Sequence, residues 1–538
     1  MKNEPQDRST LTIAILLGAI IVALTFLGAR VLGAQGAPER GAFLIRTATD
    51  TLVIERFTRS ADSLVGSINV KGQGRTDYVA VLGPGHAVRT LSLNLFRAVA
   101  TEDEAPLRRV FVTMRDDTAV VDVDGTVQRI ATKADAITGV NNAFALFELF
   151  LLRARDAGGT AEIPYFALSG GVTVPVNVKP NGPDSLIATV AGQENRLKVD
   201  ASGRVLGGTI PAGQLEVLRL SAEAAAGLKI GRPSYAAPAD APYAAEDVEI
   251  RGPGGIPLGG TLTLPRSASG PVPAIVTITG SGQQDRDELI PVGGGYRPFR
   301  QIADTLGRRG IAVLRLDDRM IGVSGGKLGT SADYAEDIRA ALAYLRTRKE
   351  IDAQRLGVLG HSEGGLIGPM VAVAEPALKA VVILAGPAYN GLEIVRYQNR
   401  YAIDRDSMVA PAKRDSAYQA AYRKVDSAAT MSDWYKFFLT YDPLATARKV
   451  RAPTLVLQGA TDSQITPEQA EKLAAAMRAG GNRDVTVRVF PELNHLFIHD
   501  PDGSFAHYGR IKTGKMSAEV LGAIADWLAV KLSASTSK

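Results

Sequence analysis

Residues Arg355 to Gly368, R-L-G-V-L-G-H-S-E-G-G-L-I-G, constrain this chain more than any other stretch. A short apolar strand runs into Gly360-His361-Ser362-Glu363-Gly364, and an apolar helical run follows from Gly365 to about Val373. A serine at the apex of so tight a strand-to-helix turn takes a strained backbone conformation. Side chains two positions to either side would clash there, which is the physical reason for the glycines. The turn holds the hydroxyl out at the carboxyl end of a parallel sheet, within reach of a base.

The same G-x-S-x-G pattern recurs at Gly322-Val323-Ser324-Gly325-Gly326. Context separates the two. Ser362 follows its strand directly and precedes a helix. Ser324 lies beyond the strand Ile311 to Asp317, among Asp318, Arg319 and several glycines, which reads as an open loop. Ser362 is therefore the expected nucleophile.

A serine hydroxyl needs a base, and the chain has 5 histidines. His361 adjoins the serine, so its side chain diverges from the hydroxyl. His86 belongs to a distant region. His495, in Pro491-Glu-Leu-Asn-His495, directly follows the last strand and is the expected base, with His499 and His507 as the remaining candidates. The imidazole needs a carboxylate to fix its tautomer. Asp462, in Gln458-Gly-Ala-Thr-Asp462, ends the preceding strand, although it could also serve the segment after it as a helix cap; Thr466 is better placed for that. A developing oxyanion needs two backbone N–H donors. Glu363, next to the nucleophile, supplies one. The Ser281 amide in Thr279-Gly-Ser-Gly282 is the expected second. Asp285-Arg-Asp287 and Asp317-Asp-Arg319 read as ion-pair networks that hold these loops.

From Glu246 onward, strands and helices alternate. Expected strands are 246–251, 261–264, 274–279, 311–317, 356–359, 380–385, 454–458 and 485–490. Expected helices are 296–309, 332–348, 467–478 and 517–532. Continuous apolar strands between helices imply a largely parallel sheet covered on both faces, with chemistry at the carboxyl ends of its strands. The insert 387–450 holds Tyr389, Tyr397, Tyr401, Tyr418, Tyr422, Tyr435 and Tyr441 of the chain's 15 tyrosines, with Trp434, Phe437 and Phe438.

Ahead of this lies a different pattern. From about Gly41 to Leu220 the apolar residues repeat every second position, as in Thr51–Phe57, Thr118–Asp124 and Gly171–Val178, with turns at Asp124-Gly125, Asn181-Gly182 and Ser202-Gly203. A mainly antiparallel β domain over 41–230 is expected, with one helix at about Lys133 to Arg155. Roles open to it are shaping the substrate entrance, binding a partner or supporting a dimer. The Pro- and Ala-rich stretch 231–245 reads as an extended connector.

At the amino terminus, Leu11 to Leu27 carries no charge. A spanning helix needs about 20 apolar residues and a signal-peptide core about 7 to 15. Residues 1–36 are therefore expected to be a cleaved signal peptide or an uncleaved membrane anchor, with the rest of the chain exported. The absence of cysteine fits that reading, since stability cannot rest on disulfides. The net charge of +5, from 61 basic and 56 acidic residues, includes no basic run and gives nucleic-acid binding no support.

Taken together, Gly280-Ser-Gly-Gln-Gln-Asp-Arg-Asp287, Asp317-Asp-Arg319 through Gly326, Gly360-His-Ser-Glu-Gly364, Gly459-Ala-Thr-Asp462 and Asn494-His495 resemble the α/β-hydrolase fold. The resemblance is to its serine esterase and dienelactone-hydrolase-like or peptidase-like branch, and covers residues 246–538. Thr279 is a departure, since many relatives carry histidine before the oxyanion glycine. The resemblance implies a cap over the serine at 387–450, a small-molecule ester as substrate, and no metal or organic cofactor. The rivals are a serine peptidase of the same fold and a non-catalytic binding protein on a hydrolase scaffold. Peptidase relatives with a propeller need repeated blades ahead of the hydrolase domain, and the first region shows no such repeat.

Overall fold

The computed structural model describes residues 37–48, 50–97, 104–168, 171–190, 192–231, 233–266, 270–290, 292–293, 295–405, 409–429 and 432–533. The apolar segment Leu11–Leu27 lies outside them. Among the described residues no helix is long and apolar enough to cross a membrane.

The period-two region forms a 15-stranded sheet, from β1 (Glu39–Arg46) to β15 (Leu215–Ser221). The first strand sits in its middle. β1 pairs antiparallel with β2 (Thr51–Arg59) on one side and with β15 on the other, and the chain meanders outward and back through hairpins. Alternation buries one face of each strand: Val53, Phe57, Leu64, Ile68 and Tyr78 are all inside. That face closes over one helix, α1 (Phe144–Asp156), whose Phe144, Leu146, Leu149, Phe150 and Leu151 are buried in the same cluster.

The helix is shorter than its apolar spacing predicts. Residues Ile137–Gly139 extend instead as β9, parallel to β10 (Ala161–Ala167), with Tyr165 opposite Ile137. Pairing with a distant strand, which leaves Ile137 fully buried, overrides the local helical pattern.

The second sheet has 8 strands in the order β16-β17-β19-β18-β20-β21-β22-β23, from β16 (Tyr243–Arg251) to β23 (Val485–Phe490). β16 and β17 (Pro257–Pro265) are antiparallel; from β18 (Val272–Ile278) and β19 (Ala312–Leu316) through β20 (Ile351–His361), β21 (Ala380–Leu384) and β22 (Thr454–Gly459) all neighbours run parallel. β16 starts inside the stretch read as a connector, because Tyr243 already pairs with Pro265.

Both faces of the parallel part are covered. Alternate strand residues Val276, Val358 and Val456 pack under α4 (Ser331–Thr347), α5 (Glu363–Ala374) and α10 (Glu468–Ala479). Their neighbours Ile275, Leu359 and Leu455 pack under α3 (Pro298–Arg308) and α11 (Ala518–Lys531). (α2 is the short helix Ala222–Ala226 after β15.) Between β21 and β22 the insert folds as α6 (Gly391–Arg405), α7 (Arg414–Ala429), α8 (Asp433–Thr440) and α9 (Pro443–Ala447), with a small core of Ile394, Val425, Phe438 and Leu439 that also takes in Ile465.

The connector is strapped to the second sheet. Tyr235 packs against the Arg286 guanidinium, 4.2 Å from its ring centre, and its hydroxyl donates to Asp285 at 3.3 Å. Arg300 donates to the carbonyls of Ser234 and Ala236. Among the described residues, a loop-to-loop hydrogen bond also links the two regions: Gly322 N–H donates to the Gly72 carbonyl.

Candidate active site

The elbow joins β20 to α5. Ser362 sits between them at φ 55° and ψ −117°, a left-handed backbone that a serine adopts only under surrounding constraint. The flanking glycines have specific reasons. A Cβ on Gly360 would lie 1.9 Å from the Gly364 carbonyl oxygen, and one on Gly364 would lie 2.1 Å from the Ile278 carbonyl oxygen. The turn thus packs backbone on backbone, against the end of β18. Ser362 N–H donates to the Leu384 carbonyl, fixing the elbow to β21 as well.

The loop after β18 reaches over this turn. A Cβ on Gly280 would come within 3.3 Å of the Ser362 Cβ. Gly280 N–H is occupied, donating to Glu288 Oε1 at 2.8 Å, whereas the Ser281 amide makes no hydrogen bond among the described residues. Glu363 is the first residue of α5, where amides lack an intrahelical acceptor. Thr279, the departure noted above, donates its hydroxyl to Asp318 at 2.7 Å, and Asp318 also accepts Gln284 N–H, so this carboxyl supports the loop. Burial pushes the Asp318 carboxyl well above the usual carboxylate range.

His495 and Asp462 meet. His495 Nδ1 lies 2.8 Å from Asp462 Oδ2 and both side chains are buried. Asp462 accepts three further bonds, from Gln458 Nε2 at 2.8 Å and from the amides of Gln464 and Ile465. It therefore both holds the ring and shapes the loop after β22. Thr466 does not cap the following helix: Pro467 stands at that position with no side-chain bond, while the Thr466 hydroxyl faces Glu468 and Gln469. Proline's fixed φ starts the helix without a capping hydroxyl.

Ser362, Ser281, Glu363 and His495 line one cavity of about 400 Å³, together with Trp434 and Tyr508. Its roof is the helical insert. The Trp434 indole N–H donates to Glu363 Oε1 at 2.8 Å, and the same oxygen accepts the Ser331 hydroxyl at 2.6 Å. The insert is therefore pinned to the residue after the serine. Sequence reasoning named none of its aromatic residues as functional, and spacing alone could not have distinguished Trp434 from its packing neighbour Phe438.

The other candidates lie elsewhere. Ser324 is fully buried; its hydroxyl donates to the Asp317 carbonyl and accepts Gly259 N–H, a structural tie. His86 pairs with Asp156, His499 with Glu492 and His507 with Asp502, all outside the cavity. The Asp-Arg motifs do form ion pairs: Arg286 grips both oxygens of Asp317, and Arg319 both oxygens of Asp337. Among the described residues no three His, Asp or Glu side chains cluster as metal ligands.

A mostly parallel sheet with helices on both faces, a strained serine at a strand-to-helix elbow and a helical insert over the strand ends define an α/β-hydrolase. Sequence comparison then gives the family. Over 303 residues the chain is 30% identical to esterase EstD of Thermotoga maritima, covering 55% of this chain and 69% of that one. The chain belongs to the α/β-hydrolase family of serine esterases. A family profile described as serine aminopeptidase, S33, matches residues 293–502, a range that includes Ser362, Asp462 and His495 but not Ser281. Dipeptidyl aminopeptidase BIII of Pseudoxanthomonas mexicana is 27% identical over 252 residues, 44% of this chain and 33% of that one. Among solved structures, an esterase of Pyrococcus furiosus aligns over 57% of this chain and 100% of its own, at 16% identity and a TM-score of 0.38.

Proposed function

We propose that this serine hydrolase cleaves carboxylic esters of small molecules through a Ser362–His495–Asp462 triad. The observation that carries the reading is the His495 ring. Its Nδ1 is held by Asp462, while its Nε2 makes no hydrogen bond among the described residues and the ring lines the cavity that holds Ser362. Ser362 Oγ attacks the acyl carbon as His495 Nε2 takes its proton. Asp462 keeps the tautomer and stabilises the imidazolium. The amides of Ser281 and Glu363 donate to the oxyanion. His495 returns the proton to the leaving alcohol, and water, activated by the same nitrogen, releases the acid from the acyl-enzyme.

The likeness to EstD supports esters; the S33 profile and the dipeptidyl aminopeptidase support amides as the second reading. Comparing p-nitrophenyl acyl esters with aminoacyl p-nitroanilides separates them. A higher kcat/KM on the esters is expected, and a preference for the anilides would make the protein a peptidase. From Leu11–Leu27 we further propose that the chain is exported or anchored. Cell fractionation should find it outside the cytosol, and a purely cytosolic protein would contradict this.

A further inference from the structure

The loops that carry Ser281 and His495 belong to different strands, and catalysis needs both held against Ser362 to within a fraction of an ångström. One buried pair touches all three segments. His361 Nδ1 lies 2.8 Å from Glu288 Oε1, and His361 Nε2 lies 3.0 Å from the backbone carbonyl oxygen of His495. Glu288 Oε1 also accepts Gly280 N–H at 2.8 Å. Neither side chain faces solvent: His361 is 5% exposed and Glu288 0%.

Hydrogen-bond chemistry sets the charge state. A backbone carbonyl only accepts, so His361 Nε2 carries a proton. Oε1 of Glu288 already accepts an amide N–H, which suits an ionised oxygen, so Nδ1 donates as well. Burial disfavours a proton on the ring, but the charge of Glu288 and the bonds to it and to the His495 carbonyl outweigh that, and the net direction is upward. Glu288 Oε2 is buried without a partner among the described residues, so the carboxylate is held through Oε1 alone. Glu288 also has a left-handed backbone, φ 55°, an uncommon conformation for a residue with a side chain.

We propose that His361 and Glu288 are a buried imidazolium–carboxylate strut, a pair of positioning residues that locks the oxyanion loop and the base loop to the nucleophile elbow. The inference rests on His495 acting as the base and on Ser281 lending its amide. The strut touches no substrate. His361 fixes the backbone of His495, whose ring centre stands 5.0 Å from its own. Glu288 draws Gly280 N–H inward and leaves the next amide, of Ser281, without a partner. This gives the histidine of the elbow motif a use that its divergence from the serine hydroxyl leaves unexplained.

Two measurements test it on the purified full chain. In the first, Glu288→Ala is expected to lower kcat on p-nitrophenyl acetate about 10²-fold with KM nearly unchanged, the cost of a misplacement of about 1 Å. Glu288→Gln keeps an uncharged oxygen that can still accept both Gly280 N–H and His361 Nδ1–H, so it should recover part of kcat. A folded Glu288→Ala with wild-type kcat would overturn the proposal, as would equal losses in both variants. The second needs no turnover and no variant at Glu288. With ¹⁵N-histidine labelling and assignment through His361→Gln, both ring nitrogens of His361 should resonate as protonated at pH 8. One bare, pyridine-type nitrogen would overturn it. Retained turnover in Ser362→Ala would instead remove the triad reading, and the ring measurement would still decide the charge state of the pair.

Discussion

Two buried acidic clusters, one in each sheet, show what separates a structural use of charge from a chemical one. In the first sheet, Glu148 on α1 is fully buried and accepts Val205 N–H, Arg219 and Arg59 at 2.6 to 2.7 Å. Glu55 accepts the Tyr78 hydroxyl and Ala145 N–H. Every interaction points inward, and the cluster fastens α1 inside the curved sheet. In the second sheet, Asp462 is as thoroughly satisfied, with four donors. One of these donors, the His495 ring, has a second nitrogen that takes no partner among the described residues and belongs to a cavity wall. The clusters are alike in burial and in bonding of the carboxylate. They differ in whether the chain of hydrogen bonds ends inside the protein or at a space a substrate can enter.

The contrast can be tested from both sides. Removing Ser362 acts at the end that faces the cavity, so Ser362→Ala is expected to cut ester turnover by about 10⁶ while leaving thermal unfolding unchanged. Asp462→Asn keeps the shape but can stabilise the wrong tautomer of His495; a loss of about 10⁴ in kcat is expected, measured on the same ester. Glu148→Ala should do the reverse. Stranding Arg59 and Arg219 beside an empty space is expected to cost about 3 to 5 kcal/mol of stability by denaturant titration, with kcat of the folded fraction intact. A large loss of kcat in that variant, or full stability, would break the division between the clusters.

The smallest effect concerns pH. Burial, ahead of every other influence, pushes the Glu55 carboxyl up from 4.5 to about 7, with Glu148 adding to the rise and the bonds from Tyr78 and Ala145 opposing it. A raised carboxyl binds its proton more tightly folded than unfolded. Its contribution is therefore complete below about 4.5 and is lost as pH climbs through about 7, a span worth roughly 3 kcal/mol. Unfolding free energy of the wild type should fall across that window relative to Glu55→Gln, and parallel pH profiles for the two proteins would contradict the assignment.

Much of this was legible in the sequence, for identifiable reasons. Context distinguished Ser362 from Ser324 because a strand directly before and a helix directly after leave a local signature. The alternation of strands and helices beyond Glu246, and the period-two pattern before it, reflect one-sided or two-sided burial that each segment records by itself. What stayed hidden depends on distance along the chain. The start of α1 was obscured because Ile137 joins a strand that pairs with Tyr165. The His361–Glu288 contact spans 73 positions, and the Trp434–Glu363 bond spans 71, so no spacing announces either. Asp462 reads as a partner for His495 or as a helix cap; its carboxylate holds the ring and the loop amides of Gln464 and Ile465 and does not cap the helix, because the loop carries the chain on to Pro467 before the helix begins.

The most direct test of the central claim is to map where a fluorophosphonate attaches to the folded protein. The probe needs a serine hydroxyl made nucleophilic by a neighbouring base. Peptide mass spectrometry should place a single adduct on Ser362, with labelling lost in His495→Ala. An unlabelled protein, or an adduct on another serine, would contradict the account.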